Sequence, residues 1–259
     1  TATPQRARAA LWICLVIAIC STYFASWVQI GEPEPGSPLL FHDHDFNISS
    51  QAINQRFPGS EELFIIARTS EPNGLKRPEV LRALTDFQNH MMLDETLGGT
   101  KGTPDLVTQI NQMTRNDDPR WAVIPGYDNE VGGLMFMYMM SAPIPGALLE
   151  FQDTDDQVAN IVFYYKDHTG KTIRRAIHMA KEWIDNVGST VPGLTIELAG
   201  GPVGVTAAID EEAYDTNVIV VPAVIVLILL FTLWFYASFH AGGMILVAMA
   251  FATTLSYAC

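Results

Sequence analysis

The distribution of apolar and polar positions changes sharply towards the end of the chain. Residues 218–236 contain no charged residue and no His, Asn or Gln, a run close to the ~20 apolar residues that a helix needs to cross a bilayer. Upstream, apolar residues keep helical spacing while the other helix faces carry Asp210, Glu211, Glu212 and Asp215. The pattern therefore predicts one continuous helix through Pro222, with a polar first half and a membrane-spanning second half.

Two further apolar runs predict additional membrane spans. The first run covers residues 9–28, and Arg6 and Arg8 precede it, so the positive-inside bias places the N-terminus in the cytoplasm. A cleaved signal peptide is the competing interpretation, because a short basic region before an apolar run is typical of one. The last run, residues 244–259, is shorter than a full crossing, which indicates a truncated third span.

Between the first two spans, the pattern alternates between strands and helices. Strands are predicted at residues 63–69, 158–165 and 194–198, with a weak strand around residues 99–102. Helices with one apolar face are predicted at residues 50–57, 78–91, 104–113 and 171–187. The segment 134–140 is ambiguous between helix and strand. This order is that of a split β-α-β layer carrying extra helices.

These patterns predict an α+β membrane protein, in which transmembrane helices carry an extracytoplasmic split β-α-β (ferredoxin-like) domain. The turn between the last strand and the long helix is predicted at Gly200, Gly201 and Pro202, because glycine allows positive φ and close backbone approach. The predicted segments are the N-terminus with the first span (1–30), the outer domain (31–217), the second span (218–236), a cytoplasmic linker (237–243) and the third span (244–259).

Charge and cysteine content restrict the function of the outer domain. All 28 acidic residues of the chain lie within residues 31–217, together with most of the 15 basic residues. A strongly acidic surface does not attract nucleic acid. The outer domain contains no cysteine, so no disulfide stabilises it.

Four stretches resemble the resistance-nodulation-division (RND) exporters. They are FHDHDFNISSQAINQRFPGSEELFII, LMFMYMMS, VANIVFYYKDHTGKTI and LTIELAGGPVGVTAAI. They are similar to the branch that contains the mycobacterial large membrane proteins, the hopanoid exporters and the Patched-like proteins. The resemblance implies a multi-pass protein of the bacterial inner membrane, with a porter domain at residues 31–217 facing the periplasm and a second half that repeats the first.

Two functions are compatible with these features. The preferred one is part of a proton-driven RND-type exporter of lipids or other hydrophobic or amphipathic compounds. Its expected partners are membrane lipids or hydrophobic substrate and the remaining half of the transporter or partner subunits. The alternative is a non-transporting lipid-sensing or assembly subunit of a larger complex, which is favoured by the absence of ionisable groups from the three apolar runs.

No catalytic motif is found in the sequence, so neither an enzyme nor a cofactor is expected. His42 and His44 are weak candidates for a metal site, and a solvated segment is the commoner explanation of such a pair. A route for substrate access is predicted along the long helix, at Asp210, Ala213, Asp215, Val218 and Pro222. The outer domain is too short for a docking layer as well as a split β-α-β core, so no trimer held by a docking domain is expected.

Overall fold

The computed structural model describes residues 35–37 and 39–236, together with residues 16, 19, 20, 23, 243–245, 247–249, 251, 252 and 256. Residues 31–208 form one compact unit, and the described residues outside that range belong to a second one. The helices and strands follow in the order α1 (Asp45–Arg56), β1 (Glu61–Thr69), α2 (Pro78–Met91), β2 (Leu97–Lys101), α3 (Thr103–Thr114), α4 (Asp128–Ser141), β3 (Val158–Tyr165), α5 (Gly170–Asn186), β4 (Leu194–Gly200) and α6 (Gly201–Tyr236).

The unit of residues 31–208 is built on one antiparallel sheet with the strand order β2-β3-β1-β4. In the centre of the sheet, Ile65 of β1 lies opposite Ile161 of β3, and Ala67 of β1 lies opposite Ile196 of β4. Strand β2 pairs with the other edge of β3. The segments β1-α2-β2 and β3-α5-β4 are therefore two interleaved β-α-β units, the arrangement of a split β-α-β layer.

Alternation along β1 directs one face of the sheet into the main core. Leu63, Ile65 and Ala67 are fully buried, whereas Arg68, near the end of the strand, is exposed. Helices α2 and α5 cover this buried face, and the Phe87 ring of α2 lies 5.5 Å from the Phe163 ring and 5.0 Å from the Trp183 ring. Burying each such aromatic side chain contributes about 1.5–3 kcal/mol.

The sequences at the starts of these two helices explain where they begin. Pro78 occupies the first turn of α2, where its missing N–H costs no hydrogen bond. The Thr169 hydroxyl accepts a hydrogen bond from the Thr172 N–H and so caps α5. Within α5, the side chains that point into the core recur at helical spacing: Ile173, Ala176, Ala180 and Trp183.

A second, smaller core joins α2, α3 and α4. Leu81 of α2 and Val107 of α3 are fully buried there, and α4 contributes Val131, Leu134 and Met135. These three positions follow the i, i+3, i+4 spacing of a helix, so the ambiguous segment 134–140 is helical. No comparable core covers the opposite face of α4 in the described part of the chain, where Phe136 and Met140 are more than half exposed.

The turn from β4 into α6 depends on glycine. Gly201 has a φ of +79°, and a Cβ at this position would lie 2.4 Å from the Glu62 carbonyl oxygen. Both features exclude larger residues without backbone movement. Helix α6 starts at Gly201 and continues through Pro222 to Tyr236.

The predicted membrane architecture is contradicted by the structure. A helix that spans the hydrocarbon core must be both long and continuously apolar, and no helix in the described part of the chain meets both conditions. The continuous helix predicted through Pro222 is present as α6, with residues 218–236 as its C-terminal part, but its second half is not identified as a membrane span. Most of the first and third predicted spans lies outside the described residues.

This finding corrects three predictions. The fold class is α+β with a four-stranded antiparallel sheet, and the transmembrane helices that were part of the predicted fold class are not found among the described residues. The prediction of a multi-pass membrane protein is contradicted for the same reason, because no spanning helix is found in the part of the chain that the structure describes. The predicted location in the bacterial inner membrane is likewise contradicted.

Candidate functional site

The residues predicted to form a substrate access route all lie on α6. Asp210 and Pro222 are twelve positions apart, which corresponds to about 18 Å along a helix. Pro222 is exposed and Ala213 is partly buried. The Asp210 Oδ2 atom is shielded from solvent and has no hydrogen-bond partner among the described residues. Asp215 and Val218 belong to the same helix.

The two histidines considered as metal ligands have different positions. His44 Nδ1 accepts a hydrogen bond from the Phe46 N–H at 3.1 Å and so caps α1. His42 lines a polar cleft beside the same helix. No group of three or more His, Cys, Asp or Glu side chains suited to a metal ion is found among the residues that the structure describes.

A cavity of about 620 Å³ lies between α3, the short 3-10 turn Pro119–Trp121 and α4, and we refer to it as the helical pocket. Cavities of this size hold small organic molecules. Its apolar lining comes from Trp121, Val123, Ile124, Leu134 and Met137, and its polar lining includes Asn111, Arg115 and Glu130. The pocket therefore offers apolar and charged surface to the same ligand.

Hydrogen bonds fix the loop that closes the helical pocket. The buried Asn111 side chain of α3 donates to the Val123 carbonyl oxygen at 3.0 Å. Arg82 of α2 donates to the Pro125 carbonyl oxygen at 3.1 Å. Both contacts hold the loop against helices of the core, so the wall of the pocket is preorganised.

The charged groups of the helical pocket are not paired with each other. The Arg115 guanidinium carbon lies 4.3 Å from the centre of the Trp121 ring, in a cation-π contact. Neither Arg115 nor Glu130 forms an ion pair with another residue in the described ranges. The guanidinium and the carboxylate therefore keep hydrogen-bonding capacity for a ligand.

A second, polar cavity of about 370 Å³ lies between α1 and the ends of β1 and β3, and we refer to it as the α1 cleft. One side carries the α1 side chains Asn47, Ser50, Gln51, Asn54 and Gln55. The other side carries Glu61, Lys166, Asp167 and His168. Most of the residues that line this cleft carry a hydrogen-bonding side chain.

A contact between a histidine and a carboxylate forms part of the wall of the α1 cleft. His168 Nδ1 lies 3.4 Å from Glu61 Oε1, and both side chains are largely shielded from solvent. The hydrogen bond from His168 lowers the pKa of the Glu61 carboxyl group, although partial burial opposes this effect. This contact connects the start of β1 to the loop that follows β3.

The sequence matches no protein-family model and no curated protein.

Neither cavity was identified from the sequence. For the α1 cleft a signal existed, since Asn47, Gln51, Asn54 and Gln55 recur at the spacing of one helix face. For the helical pocket no local signal existed. The segment that contains Trp121 has no regular periodicity, and its approach to α4 depends on long-range contacts.

Proposed function

We propose that residues 31–208 form the substrate-handling domain of an RND-type exporter of lipids or other hydrophobic or amphipathic compounds. The observation that carries the proposal is the helical pocket, where apolar walls meet one guanidinium and one carboxylate. The two interleaved β-α-β units support it as well, because the sequence resemblance implies a domain of this kind.

The physical basis is the match between the pocket and an amphiphile. Removing apolar surface from water contributes about 25 cal/mol per Å², and Trp121, Leu134 and Met137 supply the surface that would cover an apolar group. A polar head group would keep a hydrogen-bonding partner at Arg115 or Glu130. A purely polar compound would not gain the free energy of burying apolar surface. A hydrocarbon would leave the charges of Arg115 and Glu130 without a partner.

Space for a ligand is available next to the α4 backbone. A Cβ added at Gly133 or at Gly126 would meet no atom within 4 Å. Because Gly133 lies in the lining of the helical pocket, a large side chain there occupies the ligand space without displacing a core residue. This position is therefore suited to a blocking substitution.

The test compares two phenylalanine substitutions on the same helix. We expect Gly133→Phe to weaken binding of lauroyl lysophosphatidylcholine, below its micelle concentration, by about tenfold or more, because most of the apolar contact is lost. Met140→Phe, at an exposed position outside the pocket, serves as the control and should bind as the unsubstituted protein does. Isothermal titration calorimetry measures both.

Export is then measured in cells that make the full transporter. Reduced export of the same labelled lysolipid by Gly133→Phe, with normal protein levels, supports the exporter. Lost binding with unchanged export favours the lipid-sensing or assembly subunit instead. Equal binding by Gly133→Phe and the unsubstituted protein would overturn the assignment of the pocket.

A further inference from the structure

Helix α1 presents amide side chains, and not apolar ones, to the rest of its unit. Asn47 is its buried residue, and Gln51, Asn54 and Gln55 line the α1 cleft. Its large apolar side chains are about half exposed, at Phe46, Ile48 and Ile53. A surface helix usually turns its apolar stripe towards the core, so hydrophobic packing does not account for the position of α1.

Several hydrogen-bonding groups that line the α1 cleft have no partner among the described residues. Both polar atoms of the Asn47 amide bond to the nearby backbone, at Ser37 and Phe41. By contrast, the Gln51 and Gln55 amides have no hydrogen-bond partner in the part of the chain that the structure describes. The Asn54 Oδ1 atom accepts from the Ser60 N–H, which leaves its NH₂ group to the cleft.

These amides both donate and accept hydrogen bonds, and so do hydroxyl groups. Across the cleft, the Asp167 carboxylate accepts from the Thr169 N–H at one oxygen and has further capacity to accept. The Lys166 ammonium adds three donors. A ligand with several adjacent hydroxyl groups matches this mixture of donors and acceptors better than a ligand that only donates or only accepts.

The charges of the α1 cleft favour a neutral ligand. A phosphate group would meet the carboxylates of Glu61 and Asp167, and Lys166 is the permanently charged cation in the lining. An amine would find Glu61 already within 3.4 Å of His168, and next to Asp167 it would meet the like charge of the Lys166 ammonium. A neutral molecule avoids both conflicts, and a cavity of 370 Å³ lies within the ~300–1,000 Å³ typical of small-molecule sites.

We propose that the α1 cleft binds a neutral, hydroxyl-rich ligand, a mono- or disaccharide, through the free amides of Gln51, Asn54 and Gln55. This site lies apart from the helical pocket and goes beyond the exporter function proposed above. The Phe46 ring borders an adjoining cavity that shares Ser50, Glu61 and His168 with the cleft, and it offers an apolar face to the C–H side of a sugar ring.

Binding is tested on the purified chain with glucose, maltose, glucose 6-phosphate and glucosamine as probes, by NMR chemical-shift titration. We expect glucose or maltose to shift resonances of residues 45–56 and 166–168. The double substitution Gln51→Ala with Gln55→Ala should weaken this binding by about tenfold or more, since two side chains lose their hydrogen bonds to the ligand. Gln112→Ala on α3, outside the cleft, is the control and should leave sugar binding unchanged, although it removes a hydrogen bond to the Asp117 carbonyl oxygen.

A second measurement separates binding from a folding defect. Because a ligand in the cleft bridges α1 to the strand ends, saturating maltose should slow amide hydrogen exchange in α1 and leave α5 unchanged. The thermal midpoint of the double variant should be close to that of the unsubstituted protein, because the Gln51 and Gln55 side chains form no hydrogen bond among the described residues. The proposal fails if neither neutral sugar binds, if glucose 6-phosphate or glucosamine binds more tightly than glucose, or if the double variant binds normally.

Discussion

Arg175 Nε donates a hydrogen bond to Asp94 Oδ2 at 2.8 Å, and the Asp94 carboxylate is completely buried. Asp94 also accepts hydrogen bonds from the Thr96 N–H and hydroxyl, while Arg175 donates to that same hydroxyl. The network connects α5 to the segment between α2 and β2. One β-α-β unit is thereby joined to the other outside the sheet.

The first prediction follows from the burial of this carboxylate. Arg175→Ala leaves Asp94 without its charged partner, and we expect a loss of about 2 kcal/mol in the free energy of unfolding. Lys171→Ala, an exposed position on the same helix, should change stability by less than about 0.5 kcal/mol. Urea denaturation measures both values, and equal effects of the two substitutions would contradict a structural role for the pair.

The second prediction concerns acid stability. Burial opposes ionisation of Asp94, but the hydrogen bonds from Arg175 and Thr96 outweigh it, so the pKa of Asp94 is below its ordinary 3.8. A lowered folded-state pKa stabilises the fold above the unfolded-state pKa, and this contribution is lost as the pH falls through the folded-state pKa. Asp94→Asn should therefore destabilise the protein at pH 7 and show a shallower decline in stability at acid pH. A decline parallel to that of the unsubstituted protein would count against this explanation.

Asp105 gives a third prediction with the opposite sign. Burial raises the pKa of this carboxyl group, although hydrogen bonds from Gln88 and the Gly102 N–H act against the increase. A raised folded-state pKa gives a contribution that is present at low pH and is lost as the pH rises through that pKa. Asp105→Asn removes the buried charge and keeps an acceptor oxygen.

We therefore expect Asp105→Asn to be at least as stable as the unsubstituted protein at pH 7, with the difference shrinking as the pH falls towards 4. Urea denaturation at a series of pH values measures the difference. A loss of more than about 1 kcal/mol at pH 7 would show that the hydrogen bonds of the carboxylate matter more than its desolvation.

The fourth prediction concerns two glycines. Gly201→Ala places a Cβ 2.4 Å from the Glu62 carbonyl oxygen at a φ of +79°, so we expect a loss of about 2 kcal/mol or more. Gly133→Ala lies inside α4 with open space around the new methyl group. This substitution should stabilise the protein by up to about 1 kcal/mol, because alanine favours the helix. Thermal unfolding should shift in opposite directions, and two shifts of the same sign would contradict the glycine argument.

Local sequence patterns predict most of the strands and helices of residues 31–208. The predicted strand 158–165 coincides with β3, and the predicted strand 63–69 lies within β1. The helix starting at Pro78 was predicted from its first-turn proline and its apolar face. In each case a short-range signal, strand alternation or helical spacing, agrees with the burial that the fold imposes.

Other features cannot be predicted from local sequence patterns. The composition of the apolar run at residues 218–236 predicts a membrane span, but no helix in the described part of the chain is both long and apolar enough to be one. The helical pocket depends on the approach of Trp121 to α4, which no periodicity in the sequence encodes. The access route along Asp210, Ala213, Asp215, Val218 and Pro222 stays a prediction.

The fifth prediction concerns the two charges of the helical pocket. Arg115 stacks on Trp121, and Glu130 begins the face of α4 that continues through Leu134 and Met137. Because the two charged groups form no ion pair among the described residues, each one acts on a ligand separately. A ligand with an anionic head group should gain from Arg115 and be opposed by Glu130, whereas a cationic head group should show the reverse preference.

We therefore expect Arg115→Gln to weaken binding of decyl sulfate by about tenfold and Glu130→Gln to strengthen it by a few fold. For decyltrimethylammonium, both changes should reverse in sign. Raising the salt concentration to about 1 M should reduce all four differences, since exposed charges are then screened within ~3 Å. Calorimetric titration below the micelle concentration measures them. If Arg115→Gln weakens binding of both amphiphiles equally, the guanidinium acts by holding Trp121 in place, and the charge selectivity of the pocket is refuted.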